Sequence, residues 1–181
     1  ITDKEFKLIN REVFFSSKEL NIINPENKYS QIIPIGSQLS SCSYLNYKMP
    51  DLDNIVNKID PLDFINTPYL WGGKSKYGID CSGFAQIVLR SNNVFIPRDA
   101  KDQAKFGKVV SYESLKRGDL CFFGDDLEKI THVGIYLGDK KIIHAFEKVR
   151  IDKLDKKGIV NSDSLKKTHK LKSIRRMNLT F

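Results

Sequence analysis

Cys81 is the residue whose surroundings best suit a chemical role. It lies in the sequence GIDCSGF, between Asp80 and Ser82, and an apolar pattern with helical spacing follows it. A cysteine in the first turn of a helix meets free N–H groups and the positive end of the helix dipole, which favour the thiolate. The small Ser82 and Gly83 leave room for a substrate backbone. Cys121, in the apolar sequence GDLCFF, has instead the surroundings of a core residue. Cys81 is therefore the candidate nucleophile.

A nucleophilic thiol needs a base within hydrogen-bond reach, and the base needs a partner that orients it. Of the three histidines, His132 begins the strand-like sequence HVGIYLG and His144 lies in the next one, KIIHAF. A turn centred near residues 138 and 139 would place them directly opposite each other, with Cβ atoms roughly 5 Å apart. This predicts a Cys–His–His arrangement; a metal site and two ordinary polar strand residues are the alternatives. His169, in the basic sequence KKTHKLK, is expected to be exposed.

Composition narrows the class of protein. Hydrophobic residues form 40% of the 181-residue chain, as in a globular protein, and no apolar run is long enough to span a membrane. The three cysteines, Cys42, Cys81 and Cys121, lack zinc-finger spacing and allow at most one disulfide. The net charge of +8 is concentrated after Phe146. That basic segment could attract an anionic surface, but it lacks interleaved aromatic residues, so no nucleic-acid partner is predicted.

The elements that must position these residues follow from the apolar pattern. A helix of about three turns is predicted after Cys81, with Asp80 near its N-cap and Asn92 near its end. A shorter helix is predicted from Asp99 to Gly107. The sequences LCFF, HVGIYLG and KIIHAF predict a meander of three antiparallel strands. Helices followed by sequentially adjacent strands indicate an α+β fold.

The chain before the site is predicted to have a different character. Residues 1–50 contain short β-like runs such as EVFF and SQIIPIG, and the first residues have no apolar signal core. Residues 51–65 carry apolar side chains at helical spacing, with Pro61 ending or interrupting that helix. The predicted domains are therefore a β-rich N-terminal segment, residues 1–50, and a catalytic domain, residues 51–181.

Six sequence motifs, in this order and spacing, resemble the NlpC/P60 family of cell-wall cysteine peptidases: PYLWGG, DCSGF, PRDA, GDLCFF, HVGIYLG and IIHA. The resemblance extends from Thr67 to about Phe146. It implies a papain-like core, in which a helix bearing the nucleophile packs on an antiparallel sheet bearing two histidines. The implied roles are Cys81 as nucleophile, His132 as general base and then acid, and His144 as the residue that orients His132. Residues 1–48 resemble the trailing part of a bacterial SH3-like region.

The resemblance also implies roles around the nucleophile. Tyr69 would place its hydroxyl beside Cys81 and help to hold an oxyanion; packing of Tyr69 on Trp71 is the alternative. Asp80 could hold a substrate ammonium and Arg98 a substrate carboxylate, whereas a helix cap and a local ion pair of Arg98 with its neighbour are the structural alternatives. The implied substrate-groove residues are Asp80, Ser82, Arg98, Asp99 and Trp71, although Trp71 could also pack around the GG turn.

The function implied by the resemblance is that of a cysteine endopeptidase acting on peptidoglycan stem peptides. The bond expected to be cut joins γ-D-glutamate to a diamino acid, through a thioacyl-enzyme and without a metal or organic cofactor. An amidase or acyltransferase on the same core is one alternative, and a non-catalytic cell-wall binding module is another. A monomer without nucleic-acid partner or membrane span is expected. The expected location is extracytoplasmic, in the periplasm or cell envelope, with cytoplasmic recycling of free peptides as the alternative.

Overall fold

The computed structural model describes Thr2, residues 15–39, Tyr47, residues 58–127 and residues 129–177. The chain divides into two compact units, residues 1–59 and 60–181. In the first unit, strands β1 (Leu20–Ile23) and β2 (Ser30–Ile33) form an antiparallel hairpin, which is β-structure within the segment predicted to be β-rich. The SH3-like comparison and the boundary near residue 50 stay predictions. Residues 51–57, the first part of the predicted first helix, lie outside the described residues.

The second unit holds the two α-helices and nine strands of the described residues after residue 60. It starts with a 3-10 helix, Pro61–Phe64, whose first turn is capped by Asp60. The elements that follow are β3 (Lys74–Ser75), β4 (Gly78–Ile79), α1 (Cys81–Arg90), α2 (Ala100–Gln103), β5 (Lys108–Val109), a 3-10 helix at Tyr112–Ser114, β6 (Leu120–Gly124), β7 (Ile130–Gly138), β8 (Lys141–Phe146), β9 (Lys148–Asp155), β10 (Gly158–Val160) and β11 (Lys167–Arg176). Within the described residues, no helix is both long and apolar enough to cross a membrane.

Helix α1 confirms the strongest local signal of the sequence. Asp80 is its N-cap, and the Asp80 carboxylate accepts a hydrogen bond of 2.7 Å from the Gly83 N–H, which satisfies one of the free donors of the first turn. Phe84 and Ile87 are buried, and the helix packs against β7 and β8. It ends at Arg90, close to the predicted stop.

Helix α2 is shorter than predicted. Asp99 precedes it, but the helix ends at Gln103 and not at Gly107. Beyond Gln103 the backbone bonds close over three residues, from the Lys105 N–H to the Asp102 carbonyl and from the Phe106 N–H to the Gln103 carbonyl. These tighter turns end the α-helical pattern before the glycine.

The β-strands form a closed antiparallel barrel. Strands β6, β7 and β8 are neighbours, as the meander predicts, and β9 follows next to β8. Strand β10 pairs with both β9 and β11, and β11 pairs with β6, so that six strands close on themselves. The residues buried inside include Cys121, Phe123, Ile142, Leu154, Ile159 and Ile174. The basic segment after Phe146 therefore supplies three of the six strands of the barrel.

The predicted register of the two histidine strands is wrong by two residues. His144 pairs with Gly134, and His132 pairs with Phe123 on β6. The hairpin turns at Asp139 and Lys140, which both have positive φ (51° and 57°), as a two-residue type I′ turn requires. This turn alone would place His144 opposite Ile135, and a β-bulge between Tyr136 and Gly138 shifts it to Gly134. The histidines still share a face, because residues two apart on a strand point the same way, but they are diagonal neighbours.

Candidate active site

A cleft of about 430 Å³ lies beside the N-terminus of α1. Its wall contains the residues singled out in the sequence apart from the histidines: Tyr69, Trp71, Asp80, Cys81, Ser82, Arg98 and Asp99. Thr131, the residue before His132, also lines the cleft. The fold thus gathers segments that are up to 62 positions apart in the sequence around the Cys81 thiol.

Packing of the loop at residues 71–73, the WGG loop, explains the small residues around Cys81. A Cβ atom on Gly83 would lie 2.5 Å from the carbonyl oxygen of Gly73, so a larger residue would push the loop away from the helix. The Gly72 N–H also donates a 2.7 Å hydrogen bond to the Asp80 carboxylate. Gly83 therefore allows the WGG loop to pack on the first turn of α1.

The carboxylate of Asp80 is fully occupied by donors of the protein itself. Beyond the two backbone N–H groups, it accepts a hydrogen bond from the Ser82 hydroxyl at 3.2 Å and two from Arg98, at 3.0 Å to Oδ1 and a shorter one to Oδ2. Burial opposes ionisation of Asp80, but the hydrogen bonds from Arg98 and the backbone outweigh it and lower the pKa of this carboxyl. This is the helix-cap alternative together with an ion pair, and it leaves little room for a substrate ammonium.

Arg98 pairs with Asp80 and not with its neighbour. The predicted local alternative, an ion pair of Arg98 with Asp99, is wrong. Both terminal nitrogens of the Arg98 guanidinium donate hydrogen bonds to the Asp80 carboxylate, and Nη1 also donates a 2.7 Å hydrogen bond to the Ser82 hydroxyl. Asp99 instead precedes α2 without a side-chain capping bond. The Arg98 side chain is still one-third exposed (33%), so part of it faces the cleft.

Two buried glutamines, which the sequence analysis missed, hold the segment that carries Arg98. Gln103 Nε2 donates hydrogen bonds to the carbonyls of Ser82, at 3.0 Å, and of Pro97, at 2.9 Å. Gln86 Nε2 donates to the carbonyl of Ile96 at 2.8 Å. These bonds tie residues 96–98 to α1, so that Arg98 is positioned from both sides. No motif marked either glutamine in the sequence.

The Cys81 thiol lies against the start of β7. It is buried, and the backbone N–H of Val133, the residue after His132, hydrogen-bonds to its sulfur. Burial raises the pKa of the Cys81 thiol, and the nearby Asp80 charge adds to this, although the N–H groups of Val133 and Ser82 act in the opposite direction. The N–H groups of the first turn thus favour the thiolate, as predicted, but burial is the larger effect and the pKa rises. A base is needed to remove the proton.

His132, His144 and Asp152 form one hydrogen-bonded line inside the barrel. His132 Nε2 lies 2.8 Å from His144 Nδ1, and His144 Nε2 lies 3.0 Å from Asp152 Oδ2. All three side chains are buried. Burial and the neighbouring His144 and His169 lower the pKa of His132 well below its usual value, so His132 is neutral at neutral pH. Such a ring is ready to accept a proton.

Gly134 makes the diagonal contact between the histidines sterically accessible. It lies directly opposite His144, and a Cβ atom there would be 3.0 Å from the His144 Cβ and 2.8 Å from the Ile142 Cδ1. Without a side chain at position 134, the His144 ring can extend across the face towards His132. The predicted approach of the two histidines therefore occurs, but through a glycine and not through direct opposition.

The expectation that His169 is exposed is wrong. On β11, His169 pairs with Ile159 of β10, so its half-buried side chain shares the inner face of the barrel. Its ring stacks on that of His132, with centroids 4.2 Å apart and planes 26° apart, and its edge meets Phe146 at 4.9 Å. Burial, with a smaller contribution from His144, lowers the pKa of His169 to about 4. A neutral ring thus covers one face of His132.

The three histidines are the one group of this size among the described residues whose side chains could hold a metal ion, with ligand atoms within 4.8 Å of one another. A metal ion must lie in the plane of each imidazole that binds it, along the nitrogen lone pair. The stacked planes of His132 and His169 do not converge on one point, so a tetrahedral site would require a ring to turn. The geometry favours hydrogen bonding and stacking over metal binding, and the absence of a metal cofactor stays a prediction.

Two aromatic residues, Tyr69 and Trp71, also line the cleft. Tyr69 is 39% exposed, and burial together with the charges of Cys81 and Asp80 raises the pKa of its hydroxyl, so that it remains a hydrogen-bond donor at neutral pH. Trp71 is 86% exposed. The interpretation of Trp71 as a packing residue is therefore wrong; it presents a bare ring at the cleft.

Comparison with known proteins identifies the family. The NlpC/P60 family model matches residues 66–166, more than half of the chain. The chain belongs to the NlpC/P60 family. It is 50% identical over 84 residues to a gamma-D-glutamyl-L-lysine dipeptidyl-peptidase of Bacillus subtilis (strain 168), which covers 45% of this chain and 28% of that protein. It is 33% identical over 129 residues to the murein DD-endopeptidase MepS/murein LD-carboxypeptidase of Escherichia coli (strain K12), which covers 66% of each.

The fold agrees with a solved structure of the same family. An NlpC/P60 protein from Bacillus cereus ATCC 10987 superposes with a TM-score of 0.71 at 26% identity, covering 96% of this chain and 66% of that one. The family resemblance found in the sequence and the mixed α and β fold with few helices are thereby confirmed. This NlpC/P60 chain spans less than a third of the Bacillus subtilis relative.

Proposed function

We propose that this NlpC/P60 chain is a cysteine peptidase that hydrolyses peptidoglycan stem peptides between γ-D-glutamate and a diamino acid. The observation that carries the proposal is the position of the Cys81 thiol, which lies beside the cleft and is hydrogen-bonded to the residue after His132. The names of similar proteins, a gamma-D-glutamyl-L-lysine dipeptidyl-peptidase and a murein endopeptidase, support the substrate class and an extracytoplasmic location.

The first half of the reaction forms a thioacyl-enzyme. Neutral His132 takes the Cys81 proton, and the sulfur attacks the peptide carbonyl carbon to give a tetrahedral oxyanion. The Cys81 N–H, at the start of α1, and the Tyr69 hydroxyl donate hydrogen bonds to that oxygen, a contribution of typically about 3 kcal/mol for each donor. The tetrahedral species then collapses, the C–N bond breaks, and protonated His132 gives its proton to the leaving amine.

The second half of the reaction hydrolyses the thioester. His132 takes a proton from water, the hydroxide adds to the thioester carbonyl, and the C–S bond breaks to release the acid. The thiolate recovers the proton from His132, so the enzyme returns to its starting state. His144 keeps the His132 ring in one orientation during both halves, because its Nδ1 is hydrogen-bonded to His132 Nε2.

Recognition of the substrate is assigned to Arg98 and the exposed aromatic ring at the cleft. Asp80 and Ser82 hold the guanidinium in place, and its exposed part offers N–H donors to a substrate carboxylate. Trp71 offers an apolar surface for the body of the peptide. Asp80 acts in this proposal through Arg98, since its oxygens already accept five hydrogen bonds.

The test is mass spectrometry of the tripeptides L-Ala-γ-D-Glu-diaminopimelate and L-Ala-γ-D-Glu-L-Lys, each free and N-acetylated, incubated with the protein or with Cys81→Ala. We expect the wild type to release the diamino acid and Cys81→Ala to release none while still binding the peptide. Cleavage of the free tripeptide alone would indicate recycling of peptides, and cleavage of both forms an enzyme that acts on the wall. Binding without cleavage by the wild type would refute the proposal in favour of a binding module. Transfer to an added amine without hydrolysis would indicate an acyltransferase.

A further inference from the structure

The hydrogen-bond partners of the Asp152 side chain are all donors. Its side chain is buried, with 1% of the residue exposed. Arg150 donates from Nε to Oδ2 at 2.9 Å and from Nη2 to Oδ1 at 3.0 Å, and the Ser162 N–H donates to Oδ1 at 2.8 Å. His144 Nε2 completes the set at 3.0 Å from Oδ2. A guanidinium and a backbone amide have no acceptor atom to offer in these bonds, so the carboxylate is the acceptor throughout.

The protonation of each ring nitrogen follows from this one fixed acceptor. His144 Nε2 faces a carboxylate oxygen and must carry a hydrogen, so in the neutral form of this imidazole Nδ1 has the lone pair. That Nδ1 lies 2.8 Å from His132 Nε2, which must then be the donor of the bond. The nitrogen of His132 that remains unprotonated is Nδ1. This is the only nitrogen of the His132–His144 pair that is left to accept the thiol proton.

We propose that Asp152, held by Arg150, is a positioning residue that fixes the tautomers of both His144 and His132, so that neutral His132 always offers Nδ1 as the base. The assignment of the tautomers rests on the hydrogen bonds alone. Its consequence for catalysis rests on the proposed function.

The energetic cost of the arrangement argues that Asp152 does more than pair with Arg150. Arg150 also contacts the exposed Asp163, at 2.7 Å, and Glu147, at 3.8 Å, so its charge has partners outside the barrel. Burying a carboxylate is unfavourable unless hydrogen bonds and an opposite charge compensate for the lost water. Asp152 lies opposite Ile142 and two residues before Leu154, both apolar core residues, so a leucine at this position would avoid that cost.

The experiment compares Asp152→Asn with Asp163→Asn, a matched control that removes a carboxylate from the same arginine without touching His144. The imidazole nitrogens of ¹⁵N-histidine-labelled protein are measured by NMR, because their chemical shifts distinguish protonated from unprotonated nitrogen. We expect the wild type and Asp163→Asn to show protonated Nε2 and unprotonated Nδ1 in His132 and His144. In Asp152→Asn an amide N–H₂ faces His144 Nε2, which must then accept the hydrogen bond. We therefore expect both His144 and His132 to change to the tautomer with protonated Nδ1 and unprotonated Nε2.

The expected loss of activity is large in one variant only. Inversion of the tautomer of a catalytic base lowers kcat by about 10⁴. Because Asp152 acts on His132 only through His144, we expect a smaller fall in kcat for Asp152→Asn, of roughly 10² or more. Asp163→Asn should stay within about threefold. Tautomers that do not change in Asp152→Asn would overturn the inference whatever the activity.

Two further outcomes separate this inference from the proposed function. A wild-type His132 with protonated Nδ1 would overturn the tautomer assignment without any variant, so the test survives if Asp152→Asn does not fold. Reversed tautomers in Asp152→Asn with full peptide hydrolysis would overturn the role of His132 as the base, while the assignment of the tautomers to Asp152 would stand.

Discussion

The glycine opposite His144 gives a test of how closely the two histidines must approach. Gly134→Ala would place a methyl group 2.8 Å from the Ile142 Cδ1 and 3.0 Å from the His144 Cβ. The Ile142 methyl is the end of a side chain and can turn, but the His144 Cβ is fixed to the backbone. His144 must therefore retreat by a few tenths of an ångström, which lengthens its 2.8 Å bond to His132.

The magnitude follows from that displacement. Overpacking of a barrel interior costs about 1–3 kcal/mol of unfolding free energy, and for a chain of this size each kcal/mol lowers Tm by about 2–4 °C. A misplacement of 1 Å in a catalytic group can cost about 10² in rate, so a few tenths of an ångström predict a fall of roughly tenfold in kcat. Thermal unfolding followed by circular dichroism and tripeptide turnover measure the two effects.

Gly138→Ala is the matched control for this substitution. It makes the same change in the same strand, and a Cβ atom there has no neighbour within 4 Å, but the φ of +95° makes any side chain strained. We expect a loss of stability of about 1–2 kcal/mol from that strain and unchanged turnover. If Gly134→Ala kept full activity, or if Gly138→Ala lost as much activity as Gly134→Ala, the distance between His144 and His132 would not be what limits turnover.

The remaining predictions concern the thiol and the base. Cys81 should react with iodoacetamide much faster than the fully buried Cys121, whose thiol pKa burial raises strongly, and His132→Ala should slow this labelling; equal rates for the two cysteines, measured by mass spectrometry, would contradict the assignment. The lowered pKa of His132 keeps its ring neutral below pH 6.5, so the acid limb of kcat/KM should lie below that pH. His169→Ala uncovers the His132 ring and removes a neighbour that lowers its pKa, so the acid limb should move to higher pH. His169→Phe keeps an aromatic ring over His132 and should leave the limb closer to its wild-type position. Identical pH profiles for the two variants would contradict a role for the stacked ring.

Local signals were sufficient for the nucleophile helix. An acid before a cysteine and an apolar helical pattern predict the cap and the start of α1, because both depend on residues within one or two turns. The register of His132 and His144 does not follow locally, because it depends on a turn with positive φ at Asp139 and Lys140 and on a β-bulge between Tyr136 and Gly138, which no residue type there demands. The bulge also brings the two histidines onto one face.

The residues missed in the sequence are those brought in by long-range pairing. Asp152 and His169 reach the site because β9 pairs with β8 and because β11 closes the barrel against β6 and β10. In the sequence both lie in a lysine-rich segment with the composition of a charged surface. The hydrogen bonds of Gln103 go to backbone carbonyl groups, those of Ser82 and Pro97, so no side-chain pattern marks it.

The closure of the barrel by β11 also bears on when the site can form during synthesis. The helix that carries Cys81 precedes β11 by about 80 positions, and β6 has no barrel partner on one side until Lys167–Arg176 has been made. A ribosome adds residues at about 5–20 per second, so the Cys81 thiol exists for several seconds before the barrel around His132 is complete. A nascent chain would therefore hold the nucleophile without a covered base, and full activity would begin only after the last described strand had paired.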